Sequence, residues 1–177
     1  FKIIKSKIQN TDKDKIAGFV GDLINMEASY IFKEFLERTI DTKNYESRSS
    51  DMFIDSSKRE NYLFNSTING IEESDLILLI GTNPRFEATM LNARIRKAYL
   101  KNKVKIISSN DLGDLTYPYK SLDGKTQTIK DIFENKNELT KEIIEAQKPM
   151  IIFGESFLKS KSAKFLFSLF KNFLLNN

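Results

Sequence analysis

The sequence predicts an α/β protein with a three-layer, mainly parallel, Rossmann-like sheet that carries helices on both faces. Three short, mainly apolar runs carry this prediction, at Leu76–Ile80, 104–107 and 150–153, and a fourth at 16–21 is expected to be a first core strand. Runs of this length without polar alternation are typical of strands covered on both faces. Because helix-like stretches separate the runs, the alternation indicates a parallel sheet.

The first part of the chain is expected to hold an arm and the start of a single domain. Residues 1–15 begin apolar and become charged, which suits an N-terminal arm on a neighbour or an edge segment, and residues 16–177 are expected to form one α/β domain. Asn25 is placed to cap a helix, whereas 41–60 lacks periodicity and is expected to be a loop with at most one short strand. The apolar side of the predicted helix consists of Ala28, Ile31, Phe32, Phe35, Leu36 and Ile40.

The middle of the chain predicts a strand, a tight turn and a helix. Residues 59–73 suit a helix or helical turn interrupted near Gly70. After the strand, Gly81 ends the apolar run, Asn83 can cap a helix and Pro84 fits the first helical position. The helix is expected to run to about residue 102. Its apolar face consists of Ala88, Leu91, Ile95 and Ala98.

The last part of the chain continues the alternation. The strand at 104–107 ends in serines and an asparagine, and after an irregular stretch two short helices are expected at 128–133 and 138–146. The strand at 150–153 is closed by Gly154, and a final aromatic helix follows. That helix suits either core packing or docking onto another subunit. Its predicted apolar face consists of Phe165, Leu166, Leu169, Phe170, Phe173 and Leu174.

Composition excludes several kinds of chemistry within these 177 residues. The sequence has no cysteine and no histidine, so zinc sites built from these ligands, iron–sulfur ligation, disulfides, thiol catalysis and a Ser-His-Asp triad are impossible here. The formal charge of +4 is spread along the chain, so we expect no nucleic-acid partner. No apolar run approaches the roughly 20 residues that cross a bilayer, so no direct membrane span is expected.

Half of a nucleotide-binding fingerprint is present near the start of the chain. Gly18 and Gly21 have suitable spacing, but the third glycine is missing and Asp22 occupies the turn. A carboxylate at that position would repel a pyrophosphate. We therefore do not expect a nucleotide there.

The turn Gly81-Thr82-Asn83 is better placed to hold a ligand. Backbone N–H groups at the start of the next helix favour an anion, and Arg85 in the first turn could reach a phosphate or carboxylate. An ordinary structural use is also compatible with the sequence. In that case Asn83 only caps the helix, and Arg85 pairs with Glu87 or with a neighbouring loop.

Several charged residues follow along the same predicted helix. Glu87 and Arg94 lie seven residues apart, so they can share a face about two turns apart, bridged by Met90. Arginines this close, with Arg96 next to Arg94, suggest planar ion pairs or an interface that lysine would not replace. We therefore expect Arg85, Glu87, Arg94 and Arg96 to form ion pairs or interface contacts. No catalytic residues and no metal ligands are predicted.

The residues from 61 to 97 closely resemble one known family. The motifs LILLIGTNPRFEA at 76–88 and LNARIRK at 91–97 are similar to the large iron–sulfur subunit of respiratory complex I, which is the G subunit of bacterial NADH-quinone oxidoreductase and the mitochondrial 75 kDa subunit. Weaker matches lie at 18–22, 27–28, 114–117 and 148–154, and the similarity covers about 16–154. The stretch from Gly81 to Lys97 is the most specific.

This resemblance implies a place in the peripheral arm of the complex. The family has a cysteine-rich iron–sulfur half and a second half that looks like a molybdopterin oxidoreductase, generally without its cofactor. The chain matches only part of the second half, so it would be one piece of a split or shortened subunit. Implied partners are other peripheral-arm subunits, above all a cysteine-rich half, and iron–sulfur clusters, FMN and NADH would belong to partner subunits.

The function implied is a non-catalytic structural domain that scaffolds the iron–sulfur part of the NADH-oxidising module, with no cofactor in this chain. Gly81, Thr82, Asn83 and Arg85 would then be a vestigial ligand turn. The implied location is the matrix side of the mitochondrial inner membrane or the cytoplasmic face of a bacterial inner membrane. The alternative is a molybdopterin- or nucleotide-binding oxidoreductase domain that retains its cofactor. An independent small-molecule enzyme is disfavoured because catalytic groups are missing.

Overall fold

The computed structural model describes residues 1–21, 23–47 and 51–176. By its internal packing the chain divides into two compact units, Phe1–Asp51 and Met52–Asn177. The division falls in the stretch predicted as a loop, and the residues expected to form an arm lie in the first unit. That residues 16–177 form one domain stays a prediction.

The described residues of the first unit, 1–21, 23–47 and 51, form two α-helices and a minimal sheet. Helix α1 spans Lys2–Gln9 and α2 spans Met26–Glu34, which continues as a π-helix over Phe35–Ile40. Strands β1 (Gly18–Phe19) and β2 (Tyr45–Glu46) pair in parallel. The predicted cap is confirmed, because the side chain of Asn25 accepts a hydrogen bond of 2.8 Å from the amide of Ala28.

The first residues form α1 and a short 3₁₀ turn at Lys13–Lys15, and their use as an arm or an edge segment stays a prediction. One prediction for the first unit is wrong. The run at 16–21 is not a core strand, since only two of its residues pair and Phe19 is 60% exposed. Of the apolar side of the helix at 26–40, only Leu36 is buried.

The second unit is built on a four-stranded parallel sheet, which confirms the predicted fold class. Its strands are β3 (Leu76–Ile80), β4 (Lys105–Ser108), β5 (Lys120–Ser121) and β6 (Pro149–Phe153), in the spatial order β5-β4-β3-β6. All five residues of β3 are buried. Strand β5 lies in the stretch predicted as irregular, so that part of the prediction is wrong.

Over residues 52–176, six α-helices accompany this sheet, and two 3₁₀ turns at Arg59–Asn61 and Ile68–Glu73 precede it. Thr67 caps the second 3₁₀ turn and Gly70 lies inside it, so the glycine does not interrupt it. The short helices predicted after the irregular stretch are confirmed within two residues. The helices are α3 (Pro84–Glu87), α4 (Thr89–Asn102), α5 (Thr126–Phe133), α6 (Glu138–Glu145), α7 (Glu155–Leu158) and α8 (Ala163–Asn176).

Alternate residues of β3 point into two cores on opposite faces of the sheet, which makes three layers. Leu78 packs with residues of α5, α6 and α8, whereas Ile77 and Leu79 pack with Ile95 of α4 and Ile71. In α8 the buried stripe includes Phe167 instead of Phe165, which is mostly exposed. A helix with apolar residues on nearly every side does not specify from sequence alone which side faces the core.

A carboxylate ties together the starts of the two central strands. Asp75, immediately before β3, accepts hydrogen bonds from the amides of Gln147 at 2.7 Å and Lys148 at 3.0 Å, immediately before β6. Desolvation raises the pKa of Asp75, but backbone hydrogen bonds, including these two, hold that pKa below its ordinary value. The pairing register of β3 with β6, Leu76 opposite Pro149, begins at this clamp.

Candidate functional site

The carboxyl ends of β3, β4 and β6 meet at one edge of the sheet. The turns that follow them contain Gly81, Ser109 and Gly154 respectively. In an open α/β sheet, ligands dock at this edge, at the point where the strand order reverses. Here the order reverses between β3 and β6. The predicted ligand turn therefore lies where a ligand of this fold would bind.

The crevice between β3 and β6 is filled by the chain itself. Gly81 has a left-handed backbone (φ 62°), and a Cβ there would lie 2.4 Å from the backbone nitrogen of Phe157 in α7. A Cβ on Gly154 would lie 2.2 Å from the Cβ of Thr82. The amide of Ser156 donates to the carbonyl of Gly81 at 3.1 Å. Backbone therefore packs directly on backbone between the two turns.

Helix α3 begins as the sequence predicted. Asn83 is the N-cap and its side-chain oxygen accepts from the amide of Arg85 at 3.2 Å, while Pro84 occupies the first helical position and is buried. The amide group of the Asn83 side chain also donates to the carbonyl of Leu112 at 3.2 Å. The cap thus joins α3 to the loop that follows β4.

Glu87 binds the polar groups that an anion would use in this turn. Its carboxylate accepts from the amide of Asn83 at 3.0 Å and from the hydroxyl of Thr82 at 2.8 Å. The amide of Gly81 donates to the hydroxyl of Ser109 at 3.2 Å. A phosphate at this turn would have to displace a carboxylate of like charge. The sequence predicted an ion pair for Glu87 and not this contact with the turn. An acidic residue in the first helical turn after the glycine was the sequence feature that could have indicated the contact.

Removal of the Glu87 carboxylate is expected to loosen the turn. Glu87→Ala leaves the amide of Asn83 and the hydroxyl of Thr82 without their acceptor, so the free energy of unfolding should fall by about 1–2 kcal/mol. Glu87→Gln keeps one acceptor oxygen and should lose less. Urea unfolding of both variants measures the difference. Equal stability of Glu87→Ala and the wild type would show that water replaces the carboxylate without loss.

Arg85 pairs with a neighbouring loop, which is one of the two structural partners that the sequence allowed. Its guanidinium lies 2.7 Å from the carboxylate of Asp114 and also donates to the Asp114 carbonyl. The amide of Thr116 and the Arg85 guanidinium together hold the pKa of Asp114 below its ordinary value. Arg85 is therefore engaged within the chain, beside the turn.

Arg94 forms an ion pair, but not with the residue expected. The Arg94 guanidinium bonds the carboxylate of Glu72, which also lies 2.9 Å from the Lys97 ammonium. The expected face shared by Glu87 and Arg94 does not form, because the chain breaks between α3 and α4 at Ala88 (φ −149°, ψ 68°). Met90, the expected bridge, is 80% exposed. Arg96 is exposed, and no ion pair joins it to another residue in the part of the chain described.

The Glu72 pair gives a pH dependence of known sign. Hydrogen bonds from Lys97 and Arg94 lower the pKa of Glu72 in the folded state, so the pair stabilises the fold above the ordinary carboxyl pKa and is lost as the pH falls. We expect the wild type to lose more stability than Glu72→Gln between about pH 5 and pH 3. Urea midpoints at each pH measure this, with Glu145→Gln as the exposed control. Parallel pH profiles for wild type and Glu72→Gln would contradict the assignment.

A buried polar pair next to the site had no signal in the sequence. Asn92 of α4 is buried; its side-chain oxygen accepts from the hydroxyl of Tyr117 at 2.6 Å, and its nitrogen donates to the carbonyl of Leu115 at 3.2 Å. Burial raises the pKa of Tyr117 well above its ordinary value. These bonds fix α4 to the loop that also holds Asp114. From the sequence, Asn92 was expected only to be part of the helix, and helical spacing predicted no contact for its side chain.

The half fingerprint near the start of the chain lies in the first unit, where Gly18 begins β1. Gly18 packs closely against Leu36 and Phe32, whereas a Cβ added to Gly21 would have no heavy atom within 4 Å. Asp22 lies outside the described residues. These glycines border a cavity of about 800 Å³ within the first unit, lined mainly by apolar side chains such as Val20 and Met26.

Two smaller cavities remain along the sheet edge on either side of Gly81. One of about 290 Å³ is lined by Thr82, Glu87 and Asp111, and the other, of about 230 Å³, by Lys125 and Ile129. Over residues 1–21, 23–47 and 51–176, no cluster of three or more acidic side chains is grouped to hold a metal ion. No helix in the described part of the chain is long and apolar enough to span a membrane.

Comparison with known proteins confirms the resemblance drawn from the sequence. The molybdopterin oxidoreductase family matches residues 1–177. The chain is 33% identical over 181 residues to the NADH-ubiquinone oxidoreductase 75 kDa subunit of Reclinomonas americana, covering 96% of this chain and 26% of that protein. It is 37% identical over 155 residues to the G subunit of NADH-quinone oxidoreductase from Rickettsia prowazekii (strain Madrid E), covering 88% and 23%.

A third relative gives the same picture. The G subunit of NADH-quinone oxidoreductase from Rickettsia bellii (strain RML369-C) is 34% identical over 154 residues, covering 87% of this chain and 22% of that protein. The chain therefore spans about a quarter of the length of the curated relatives it matches.

Proposed function

Because this chain belongs to the molybdopterin oxidoreductase family, we propose that it serves as a non-catalytic structural domain of an NADH:quinone oxidoreductase, in the peripheral arm of complex I. The relatives named as subunits of that enzyme support the assignment to the complex. In this role the chain scaffolds the iron–sulfur part of the NADH-oxidising module. Iron–sulfur clusters, FMN and NADH belong to partner subunits in this proposal.

The observation that carries the non-catalytic part is the filled ligand turn. Glu87 holds the amide of Asn83 and the hydroxyl of Thr82, and Phe157 packs against Gly81. The residues present do not fit the anionic phosphate of a pterin or nucleotide cofactor at this turn, since a carboxylate already stands there. The absence of cysteine and histidine in the sequence agrees with clusters held elsewhere.

The expected location follows from the same proposal. The chain lies on the matrix side of the mitochondrial inner membrane or on the cytoplasmic face of a bacterial inner membrane, bound through partner subunits. The cysteine-rich iron–sulfur half of the same subunit is the partner expected to lie nearest. Size-exclusion chromatography of native extracts tests whether the chain is bound to partner subunits. A free monomer of this chain would contradict a scaffold role.

Metal and pterin analysis of the natively purified assembly tests the non-catalytic role. We expect iron in the assembly with no molybdenum, tungsten or extractable pterin assignable to this chain. Stoichiometric pterin or molybdenum would favour the alternative, a domain that retains its cofactor. Arg85→Gln gives a second readout. In the proposed role, NADH oxidation per assembled complex should stay within about twofold of the wild type. If Arg85 instead holds a cofactor phosphate, NADH oxidation should fall by about tenfold or more.

A further inference from the structure

The two edges of the four-stranded sheet differ in a way that points to a missing neighbour. Strand β5 at one edge has two exposed residues, Lys120 and Ser121. Strand β6 at the other edge has five residues, PMIIF, with no charge. Natural sheets blunt free edges with very short strands, lysine or proline, or they cover them. The β5 edge is blunted by its short length and by Lys120, whereas the β6 edge has a proline only at its first residue, Pro149, and no charge along its five residues.

The backbone of β6 offers a row of groups on its outer side. The amide of Gly154 donates to the carbonyl of Ile80 at 2.9 Å, and the register places Ile80 opposite Phe153. In a parallel pair, alternate residues bond the same neighbour, so Met150, Ile152 and Gly154 face β3. Ile151 and Phe153 then direct their N–H and C=O groups to the opposite side. Within the described residues, no strand pairs there.

Apolar side chains continue from this edge into a groove. A cavity of about 340 Å³ lies beside the start of β6, lined by Pro149 and Ile151 of the strand together with Ile144 of α6 and Leu174 of α8. Ile144 and Leu174 are large apolar residues left exposed. The edge and the groove together match an extended segment that bonds through its backbone and places alternate apolar side chains in a pocket.

The topology says which way such a segment would run. Taken in chain order, β3, β4, β5 and β6 lie in the spatial order 3-2-1-4. The doubly wound sheet of dinucleotide-binding folds has the order 3-2-1-4-5-6, so its fifth strand lies parallel to the fourth on the outer side. The outer side of β6 is that position.

From these observations we infer that the outer edge of β6 is a docking edge for a parallel, apolar strand, supplied by polypeptide that corresponds to the part of the relatives this chain does not span. The chain covers 22–26% of those relatives, so about three quarters of their length is available to provide the strand. The inference rests on the proposed role as a component of a larger assembly. It does not depend on whether the ligand turn holds a cofactor.

Hydrogen exchange in the natively purified assembly tests the inference. We expect the amides of Ile151 and Phe153 to exchange at least about 100-fold more slowly in the assembly than in the 177-residue chain purified alone. The amide of Ile152, which already faces β3, should change less. Fast exchange of Ile151 and Phe153 in an assembly that still contains the chain would overturn the inference and leave the proposed function standing. A chain that elutes free of any assembly would instead contradict the proposed function.

A pair of proline variants on the two edges gives an independent readout. Ile151→Pro removes one outward N–H of β6, and Ser121→Pro removes the matched outward N–H of β5. We expect Ile151→Pro to lower recovery of the chain in the assembly by about tenfold, with Ser121→Pro near wild type. Circular dichroism of each purified variant verifies folding. Equal recovery of both folded variants in the assembly would overturn the inference. Slow amide exchange of Ile151 in a dimer of the purified chain would also overturn it, because a second copy of the chain would then occupy the edge.

Discussion

Replacement of Gly81 by alanine is expected to leave little folded protein. The residue has a left-handed backbone, and a Cβ there would lie 2.4 Å from the backbone nitrogen of Phe157 and 2.8 Å from its Cα. Backbone atoms cannot move aside as a flexible side chain can, so β3 and α7 would have to separate. We expect a loss of at least about 4 kcal/mol, close to the whole stability of a typical domain. Urea unfolding and soluble yield measure it.

Two other glycines separate the causes of this loss. Gly113 shares the left-handed conformation (φ 70°) but has open space around it, so Gly113→Ala should lose only about 1–2 kcal/mol from backbone strain. Gly21 has open space and no positive φ, so Gly21→Ala should change stability by less than about 0.5 kcal/mol. If Gly81→Ala were only as unstable as Gly113→Ala, the close approach of α7 would be readily relieved, and the closed crevice would not be a rigid feature.

The second large effect is expected at the buried pair of Asn92 and Tyr117. Asn92→Leu leaves the hydroxyl of Tyr117 and the carbonyl of Leu115 without partners in a site closed to water. An unsatisfied buried group costs about 1–3 kcal/mol, so this variant should lose about 2–4 kcal/mol. Thermal and urea unfolding measure the loss.

A double-mutant cycle distinguishes lost hydrogen bonds from poor packing. Tyr117→Phe removes only the hydroxyl and should lose about 1 kcal/mol, and Tyr117→Phe combined with Asn92→Leu should be more stable than the sum of the single effects predicts, by about 1 kcal/mol. Additive effects would indicate that leucine simply fits badly at position 92. Asn102→Ala serves as a control for an exposed asparagine of the same helix, which donates to the carbonyl of Glu72.

The local parts of this fold could be predicted from sequence because their causes lie within a few residues. The run at β3, the glycine that ends it, the Asn83 cap and Pro84 each follow from backbone conformation or from an unpaired helix N–H. The same reasoning placed the Gly81 turn at the edge where the carboxyl ends of the parallel strands lie together, which is where open α/β sheets bind ligands.

The predictions that were wrong concern features that depend on residues far along the chain. Strand β5 consists of a lysine and a serine, and it is a strand only because Ile107 and Ser108 lie beside it. Arg94 pairs with Glu72, 22 residues earlier, instead of Glu87 on its own side of the helix break. The run at 16–21 had the composition of a core strand, but composition does not state how many residues pair.

The sequence left open whether the Gly81-Thr82-Asn83 turn binds an anion or only supports the fold, and the observed contacts of Glu87 favour the structural use. Spacing allowed Glu87 to pair with Arg85 or Arg94, yet its carboxylate turns back to Thr82 and Asn83. That choice depends on the break at Ala88, which ends α3 after one turn. Neither the break nor the close approach of Phe157 to Gly81 has a local sequence signal, because both depend on how α4 and α7 pack.

The clamp between Asp75 and Lys148 joins residues that are 73 positions apart, and this separation bears on how the chain folds during synthesis. Strand β3 can pair with β4 soon after both leave the ribosome, but its other edge waits until β6 has been made. Contacts between distant residues slow folding, and an unpaired apolar edge exposes the nascent chain to aggregation. The central strand of the sheet is thus made early, and its pairing is completed only after β6 has been synthesised.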